Sequence, residues 1–510
     1  STNGGLVTEN WFDLNASRYT ASSTLQRMEL LKTGYMGTLS LGWDNYLFLE
    51  LTGRQERSST LKDQSFFYPS ANLSFLFSNA FRMPAWWNHG KLRLSYGVVG
   101  NAPETYAANI IYEQGSDNGF TWNYVPSSWG NANIRPEKKY EYEIGFESKF
   151  LNNRLGFDVS YYNNRVKDQI LSTPQPSTSG VKYVLMNVGE VANEGWDISV
   201  SATPVLTKNF RWDLTANYGI YRNKVVKLAD GVPYLEISNI GGGGAKIQAV
   251  EGRPMGDIYV QVPQMNENGE YLVSDKGLYM NQTELQRVGN INPDGVGGLF
   301  SSFSYKNIFL DFSIDFRIGG DVINEMYQYS TASGLTPESL QFRDTEHGGL
   351  SYYYPGNNNA SGVPVQVDPS LGAGPNGETV YHDGVILPGV VASTGEKNTR
   401  IIPAGYYYNQ TYNWGTQPEQ LTYRHSVFDN SYVKLRELTI GYQFPEKLIS
   451  KLGMTRLSVS VFGRNLFYFY KALKNYDAES SVGTSWASQA VVGGSTTATR
   501  NFGVSLRASF

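Results

Sequence analysis

The sequence of 510 residues contains no cysteine, and this absence excludes several kinds of site together. Disulfide frameworks, zinc sites with thiolate ligands and cysteine nucleophiles all need that residue. Long apolar runs are also missing, whereas a membrane-spanning helix needs about 20 predominantly apolar residues. The formal net charge of −4 provides no basic field for binding nucleic acid. Membrane helices and nucleic-acid partners are therefore not expected.

Patterns for catalysis and metal binding are sparse as well. The four histidines form neither an HExxH motif nor a close pair. Asp344 to His347 could offer metal ligands, but a solvated loop is the favoured interpretation because calcium needs more oxygen ligands. Gly241 to Gly244 lacks the lysine and hydroxyl residue of a phosphate-binding loop and predicts a flexible loop. We therefore expect no enzyme, no metal site and no cofactor.

The chain is rich in aromatic residues, and in many segments apolar residues alternate with polar or small ones. Aromatic residues make up 14% of the chain, with 36 tyrosines among them. Near the end, Phe502, Val504 and Leu506 alternate with polar or small residues as far as Phe510. Similar segments begin near residues 45, 139, 154, 209 and 307. Such alternation predicts strands with one apolar face and one wet face.

Both a β-sandwich and a transmembrane β-barrel would produce this alternation. The barrel is favoured because many segments run for about 10 to 12 residues, the length of a tilted membrane strand, whereas strands of globular proteins centre near 5 or 6. The wet face also carries repeated charges, as a hydrated lumen would. We therefore predict an all-β fold, a transmembrane antiparallel β-barrel.

The connections between the predicted strands alternate between short and long. Thirteen strands are predicted near residues 34–43, 45–55, 67–78, 91–100, 139–150, 154–165, 191–202, 209–222, 297–305, 307–318, 431–443, 454–465 and 499–510. Short connections lie at 44, 151–153, 203–208 and 306, with 79–90 and 444–453 somewhat longer. Long connections lie at 56–66, 101–138, 166–190, 223–296, 319–430 and 466–498. Outer-membrane barrels show this asymmetry, with short periplasmic turns and long extracellular loops.

The number of predicted strands is odd, whereas bacterial single-chain barrels have an even number. At least one strand is therefore expected upstream, which would make the chain a fragment. The terminal strand supports the same fold, since Phe502, Val504, Leu506 and Phe510 share its apolar face. These residues resemble the C-terminal assembly signal of outer-membrane proteins.

Several runs resemble the SusC/RagA class of TonB-dependent transporters across nearly the whole chain. The most specific are Asp429 to Tyr442, Phe462 to Phe467 and Asn475 to Glu479. Weaker pieces are Tyr96 to Asn101, Asn133 to Glu137 and Glu251 to Gly256. The resemblance implies a multi-pass protein of the bacterial outer membrane whose complete barrel has 22 strands and is closed by an N-terminal plug.

The resemblance further implies a SusD-like surface lipoprotein as a lid and TonB as the source of energy. Neither a plug nor a TonB box is visible in this sequence. We therefore expect residues 1–510 to be the C-terminal part of such a barrel, with long extracellular loops and without the plug and about nine strands. Its own N-terminal plug and strands, TonB acting through that absent region, and outer-membrane lipid would be its partners.

Candidate functional residues lie in the long loops and on the wet face of the strands. Aromatic rings can cover the apolar faces of sugars or of peptide side chains, although rings in loops also pack locally. The ligand candidates are Trp122, Tyr124, Trp129, Tyr352, Tyr353, Tyr354, Tyr406, Tyr407, Tyr408 and Trp414. The candidates for lining the lumen or contacting the plug are Glu141, Glu143, Asp311, Asp315 and Arg317.

The function expected is active import of an oligomer, with a glycan as the first candidate solute and an oligopeptide as the second. A passive porin or adhesin barrel without energy coupling is the alternative, and an upstream plug with a TonB box would discriminate against it. A secreted β-rich binding protein is a third possibility, and solubility without detergent would favour it because membrane barrels expose an apolar band.

Overall fold

The computed structural model describes residues 3–19, 28–61, 65–117, 120–413, 422–494 and 496–510. Within this part, thirteen strands form one antiparallel sheet in which each strand pairs with the next along the chain. They are β1 Lys32–Trp43, β2 Leu47–Ser58, β3 Ser65–Phe75, β4 Trp87–Asn101, β5 Glu137–Phe150, β6 Leu155–Pro174, β7 Tyr183–Leu206, β8 Phe210–Lys227, β9 Gly295–Tyr305, β10 Ile308–Ile318, β11 Tyr432–Gln443, β12 Arg456–Lys471 and β13 Asn501–Ser509.

Small elements fill the connections. The two-residue strand Ser128–Trp129 pairs with the start of β7, and a separate hairpin joins Glu113–Asp117 to Phe120–Tyr124. The remaining short strands are Asn3–Leu6, Ser17–Tyr19, Tyr234–Ile240, Ala245–Val250, Asp257–Val260, Leu272–Val273, Gln286–Asn290, Asp321–Asn324, Leu350–Tyr353, Val365–Gln366, Val380–Val385, Val390–Val391, Ile402–Pro403, Val427–Asp429 and Val491–Val492. The α-helices of the described residues are α1 Phe77–Ala80, α2 Glu325–Ala332, α3 Ala404–Tyr412 and α4 Glu446–Ile449. None of them combines the length and the hydropathy needed to cross a membrane.

All thirteen predicted strands are present in the sheet, and the main error concerns where two of them end. β6 and β7 have 20 and 24 residues, so most of the predicted loop 166–190 is strand. The predicted connection 203–208 was also wrong, because β7 continues to Leu206. A membrane strand needs only about 9 to 11 residues. The hairpin therefore continues beyond the bilayer, where apolar alternation is no longer required and the sequence signal for a strand disappears.

The short turns are built from residues in the left-handed region of backbone space. Leu151, Asn152 and Asn153 have φ values of 53°, 58° and 63°, and Lys306 has a φ value of 52°. Asparagine tolerates this conformation because its short polar side chain bonds locally. The turns are thereby tight enough to hold neighbouring strands in direct antiparallel register.

The apolar face of the sheet is not covered by a second sheet in the described part of the chain. The strand register places Leu41, Leu49, Leu73, Leu94 and Ile144 in one row across five strands. Ile144 is 47% exposed although it lies in the middle of the sheet. A β-sandwich would bury such a row against its other sheet. This finding contradicts the sandwich alternative and fits a face that contacts lipid.

Aromatic rings gather at the end of the sheet that carries the short turns. Phe77 and Trp87 have ring centroids 5.5 Å apart, and Trp86 and Trp87 lie 5.8 and 5.4 Å from Phe150. Outer-membrane barrels carry girdles of aromatic residues at both membrane interfaces. The cluster therefore marks the periplasmic interface of the lipid-facing band.

Neighbouring residues on β12 provide a direct test of which face meets lipid. Val461 lies in the outward row between Ile440 and Val504, whereas Ser460 points to the opposite face. Arginine near the bilayer midplane of a barrel costs about 2 to 4 kcal/mol on the lipid face. We expect Val461→Arg in the full-length protein to reduce the folded fraction strongly, as measured by heat-dependent gel mobility. Ser460→Arg is the matched control, and an equal loss in both variants would contradict the assignment of faces.

Candidate functional site: the loop cap and the lumen wall

Three long connections pack into one body, which we call the loop cap and define as the described residues of 228–294, 319–431 and 472–500. Asp321–Asn324 pairs with Val427–Asp429 on one side and with Val491–Val492 on the other, which joins two of the connections. Leu272–Val273 pairs with Val390–Val391 and adds the third. The connections are therefore held together by backbone hydrogen bonds as well as by side chains.

The loop cap has its own hydrophobic core. Ile247 and Ile258 come from the first connection, Ile323 from the second and Val491 from the third, and all four are at most 3% exposed. They pack in a single cluster together with Tyr423. Burying an aliphatic side chain of this size contributes about 1.5 to 3 kcal/mol, so this core stabilises the packing of the three connections against each other.

Tyr423 explains the tetraglycine segment. Gly241 has a φ value of 58°, and a Cβ atom at this position would lie 1.6 Å from the Tyr423 hydroxyl oxygen. At Gly244 a Cβ atom would lie 2.6 Å from the Tyr423 ring. The prediction of a merely flexible loop was therefore wrong. The segment is a tight turn against a buried ring, and a side chain larger than hydrogen at Gly241 or Gly244 would collide with that ring.

A buried carboxylate holds the first connection in shape. Asp257 is fully buried, accepts hydrogen bonds from Arg253 at 2.5 Å and from the Asn290 amide at 2.9 Å, and forms a salt bridge with Arg287 at 2.9 Å. The hydrogen bond from Arg253 to Asp257 raises the pKa of that guanidinium further. A buried charge with complete hydrogen bonding fixes the geometry of its partners.

The stems of the three connections meet where they leave the sheet, at the end of β10, in a region that we call the neck. Arg317 donates to the carbonyl oxygens of Gly319 and Ile291 at 3.2 and 3.1 Å. The Asp321 carboxylate accepts from the Asn290 backbone at 2.9 Å, and Asn430 donates to the Ala478 carbonyl at 3.0 Å. Each bond joins two different stems or a stem to the sheet. The loop cap is thus attached to the sheet as a unit.

Burial of Asp321 raises the pKa of its carboxyl group, and the nearby Asp429 raises it further. The two aspartates are direct partners across the antiparallel pair at the neck of the second connection. Like charges placed opposite each other destabilise a strand pair. The hydrogen bond from the Asn290 backbone and the charges of Arg287 and Arg424 act in the opposite direction and lower the pKa of Asp321.

The lumen wall carries charges on the face opposite the apolar row. A groove of about 790 Å³ lies there and is lined by Arg93, Asp158, Asp197 and Asp315 among other residues. Arg93 donates to Asp158 at 2.6 Å, whereas Asp315 accepts from Arg436 at 2.6 Å. Salt bridges of this kind keep the wall polar and ordered.

The five lumen candidates lie on the predicted face but have different contacts. Glu141 pairs with Lys139 at 2.6 Å, and Asp311 accepts from Ser302 at 2.6 Å. Asp315 lines the groove, and Glu143 lies on the same face of β5. Arg317, in contrast, donates its hydrogen bonds to the backbone carbonyl oxygens of the neck. Whether any of them contacts a plug or a solute stays a prediction.

One guanidinium links the lumen wall to the loop cap. Arg436 donates to Asp315 at 2.6 Å and to Glu479 at 2.5 Å, and Lys434 also binds Glu479. Burial by itself would raise the pKa of Glu479, but hydrogen bonds from Arg436 and Lys434 outweigh it and lower that pKa. We call this chain of contacts, Asp315–Arg436–Glu479, the wall-to-cap bridge. The charges of Lys434 and Arg436 balance those of Asp315 and Glu479.

The aromatic ligand candidates divide into exposed and packed rings. Trp122 and Tyr124, on the strand Phe120–Tyr124 that pairs with Glu113–Asp117, are 47% and 44% exposed. Trp129 is half-buried in the strand beside β7. Trp414 lies outside the described residues. Of these candidates, Trp122 and Tyr124 are the most exposed rings in the described part of the chain.

The remaining candidates pack within the loop cap. Tyr352 is 1% exposed, donates to Asp383 at 3.1 Å and contacts Tyr354, and Tyr353 is half-buried. Tyr408 donates to the Glu338 carbonyl at 2.8 Å, and its burial raises its pKa to about 12. Its neighbours in α3 include two further candidates, Tyr406 and Tyr407. Tyr352 and Tyr408 are buried by local packing. The candidates in these clusters that could still contact a ligand are the half-buried Tyr353, Tyr354, Tyr406 and Tyr407.

Two other sequence predictions can be located. Asp344 accepts from the His347 ring at 2.7 Å, and this hydrogen bond lowers the pKa of the Asp344 carboxyl group. Within the ranges that the structure describes, no three histidine, aspartate or glutamate side chains gather as metal ligands. At the other end, Phe502, Val504, Leu506 and Phe510 are about 70 to 80% exposed on the outward face, where an assembly signal could be read.

Sequence reasoning missed the functional geometry of the neck and the bridge, although a signal for them existed. Two of the runs that carried the family resemblance supply these contacts, namely Asp429 to Tyr442 and Asn475 to Glu479, and a third, Glu251 to Gly256, supplies Arg253, which pairs with Asp257. Asp257 follows directly after this third run. These runs hold the loop cap together and attach it to the sheet.

Comparison with known proteins agrees with this architecture. The family model described as TonB dependent receptor-like, beta-barrel, matches residues 4–258. TonB-dependent receptor P3 of Formosa agariphila is 22% identical over 88% of this chain and 42% of its own length. TonB-dependent receptor SusC of Bacteroides thetaiotaomicron is 27% identical over 44% of this chain and 24% of its own length. The chain thus spans less than half of the length of these relatives.

A solved structure shows the same fold. The structure of the RagAB peptide transporter superposes with a TM-score of 0.70 at 18% identity, covering 99% of this chain and 50% of that chain. The same transporter in its "open-open" state gives a TM-score of 0.65. The chain belongs to the TonB-dependent receptor-like β-barrel family and forms part of an outer-membrane β-barrel.

Proposed function

We propose that the full-length protein imports an oligomeric nutrient across the outer membrane by active transport coupled to TonB. The observation that supports this most is the loop cap, which has its own core and is joined by salt bridges to a charged lumen wall. Such a mouth can select a solute and respond to it, whereas a passive channel needs only an open, hydrated lumen. We assign no catalytic role to the chain.

We further propose that residues 1–510 are the C-terminal part of a 22-stranded barrel with an N-terminal plug. β1 and β13 pair on one side only within the described residues, which is consistent with further strands closing the barrel. The relatives are more than twice as long as the part of them that this chain matches. A SusD-like surface lipoprotein would be the lid over the loop cap.

The solute class is a glycan or an oligopeptide. The family resemblance favours a glycan, while the RagAB structure is that of a peptide transporter. The exposed rings of Trp122 and Tyr124 would suit either class, because flat aromatic faces cover sugar rings and peptide side chains alike. Growth of a deletion strain on defined glycans and on defined peptides would separate the two.

Energy coupling can be tested in cells. We expect uptake of the supporting solute to fall to the level of the deletion strain when a protonophore collapses the proton gradient or when the TonB gene is deleted. Passive flux through a barrel would be unchanged by either treatment. Uptake that persists in both cases would overturn the proposal in favour of a porin.

A further inference from the structure

The wall-to-cap bridge connects the lumen groove to the loop cap through Arg436. Asp315 belongs to β10 and lines the lumen groove, whereas Glu479 belongs to the third connection of the loop cap. Between them, Arg436 donates through Nε to Asp315 at 2.6 Å and through Nη2 and Nη1 to the two Glu479 carboxylate oxygens at 2.5 and 3.0 Å. Asp315 and Glu479 therefore share one guanidinium group, while Glu479 also binds Lys434 of the same strand.

The geometry of the guanidinium constrains how the two carboxylates share it. It is planar and presents its donors in a fixed fork, so a two-point contact with Glu479 sets the plane in which the third donor must find Asp315. Asn465 accepts the remaining contact at 2.7 Å. Arg436 cannot re-orient toward one carboxylate without weakening its contact with the other.

Glu479 is in turn tied to the rest of the loop cap. Its backbone N–H donates to Asp477 at 3.1 Å, and the carbonyl of the intervening Ala478 accepts from Asn430 at 3.0 Å. Asn430 also donates its backbone N–H to Gly320 at 2.9 Å, at the neck of the second connection. A displacement of Glu479 is therefore passed to two of the three connections.

We propose that Arg436 and Glu479 are positioning residues that make the location of the loop cap depend on the charge state of Asp315 in the lumen groove. When Asp315 is ionised and paired with Arg436, the guanidinium holds Glu479 and the loop cap is held against the wall. When a passing cationic group takes over Asp315, or when its charge is removed, Arg436 turns toward Glu479 and the third connection shifts. The proposal builds on the proposed import function, since a solute must pass this wall.

The distance between the loop cap and the wall tests the proposal without any need for transport. Thr484 in the third connection and Lys167 on β6 are both exposed, and nitroxide labels at Thr484→Cys and Lys167→Cys in the full-length protein report the distance between them. We expect Asp315→Asn to broaden or shift this distance distribution in the same direction as Glu479→Gln does, but by less, because Glu479→Gln also breaks the contact with Lys434. The variant that carries both substitutions should shift the distance distribution no further than Glu479→Gln alone, because both substitutions break the same bridge.

Controls separate coupling from loss of structure. Asp213→Asn removes another lumen-side carboxylate, which pairs with Arg211 at 2.5 Å next to the turn between β7 and β8, and should leave the distance unchanged. Glu479→Asp keeps the charge and should restore most of the wild-type distribution. If Glu479→Gln shifts the loop cap while Asp315→Asn does not, or if the effects of the two simply add, the proposal is overturned. Failure of import with an intact distance response would instead count against the proposed function alone.

Discussion

Replacing Asp257 with asparagine should open the first connection of the loop cap and cost about 3 kcal/mol of local stability. The carboxylate is fully buried and compensates the charges of Arg253 and Arg287, which lie 2.5 and 2.9 Å away. Removing it leaves two guanidinium groups close together without the carboxylate that they share. The cost falls at the lower end of the range for broken buried pairs because both arginine side chains are 40% exposed and can be partly hydrated.

Hydrogen exchange of the full-length protein in detergent measures this effect. We expect the amides of Ala245–Val250 and Asp257–Val260 to lose about two orders of magnitude in protection, which corresponds to that free energy. Asp230→Asn is the matched control, because its pair with Lys227 at 3.3 Å involves an aspartate that is 95% exposed. Such a surface pair contributes at most about 1 kcal/mol. Equal losses of protection in the two variants would refute the role assigned to Asp257.

The second large effect is expected for Gly241→Ala. The substitution places a methyl group where the Tyr423 hydroxyl now lies, 1.6 Å from the ideal Cβ position. Tyr423 is 1% exposed in the core shared by the three connections, so the ring has no free space to move into. Overpacking of a core costs about 1 to 3 kcal/mol, and left-handed backbone adds about 1 kcal/mol or more for alanine. We therefore expect the three connections to lose their packing around Tyr423.

Gly231→Ala isolates the backbone part of that cost. Gly231 also has positive φ, at 80°, but nothing lies within 4 Å of its ideal Cβ atom. Limited proteolysis of the full-length protein should therefore cleave the loop cap of Gly241→Ala much faster than that of Gly231→Ala. Equal cleavage rates would show that backbone strain, and not the Tyr423 ring, is what the tetraglycine segment relieves.

The strands could be predicted because their signal is local. Alternation along ten consecutive residues reports directly that one face of a strand meets lipid and the other water. The predicted boundaries failed at β6 and β7, where the hairpin leaves the bilayer and the alternation ends while the backbone pairing continues. Glu141, Asp311 and Asp315 could likewise be assigned to the wet face, because each of them alternates with apolar residues along its strand.

The loop cap could not be predicted because its contacts join distant residues. Asp321 meets Asn290 from 31 residues away, Arg436 meets Glu479 from 43 and Gln328 meets Thr422 from 94. Composition does not show whether a tyrosine in a long loop is buried or exposed, which is why Tyr352 and Tyr408 resembled Trp122 and Tyr124 in the sequence. Only their neighbours in space distinguish the packed rings from the exposed ones.

The amino-acid sequence by itself thus determined which residues form the barrel wall and which side of that wall is apolar. Successive side chains of a strand point alternately to lipid and to water, so the two environments leave an alternating pattern in the sequence. Tertiary structure decided how the long connections combine, where Tyr423 fits and which carboxylates Arg436 joins. Those contacts depend on three-dimensional complementarity between segments far apart in the chain, and no local pattern of residue types specifies it.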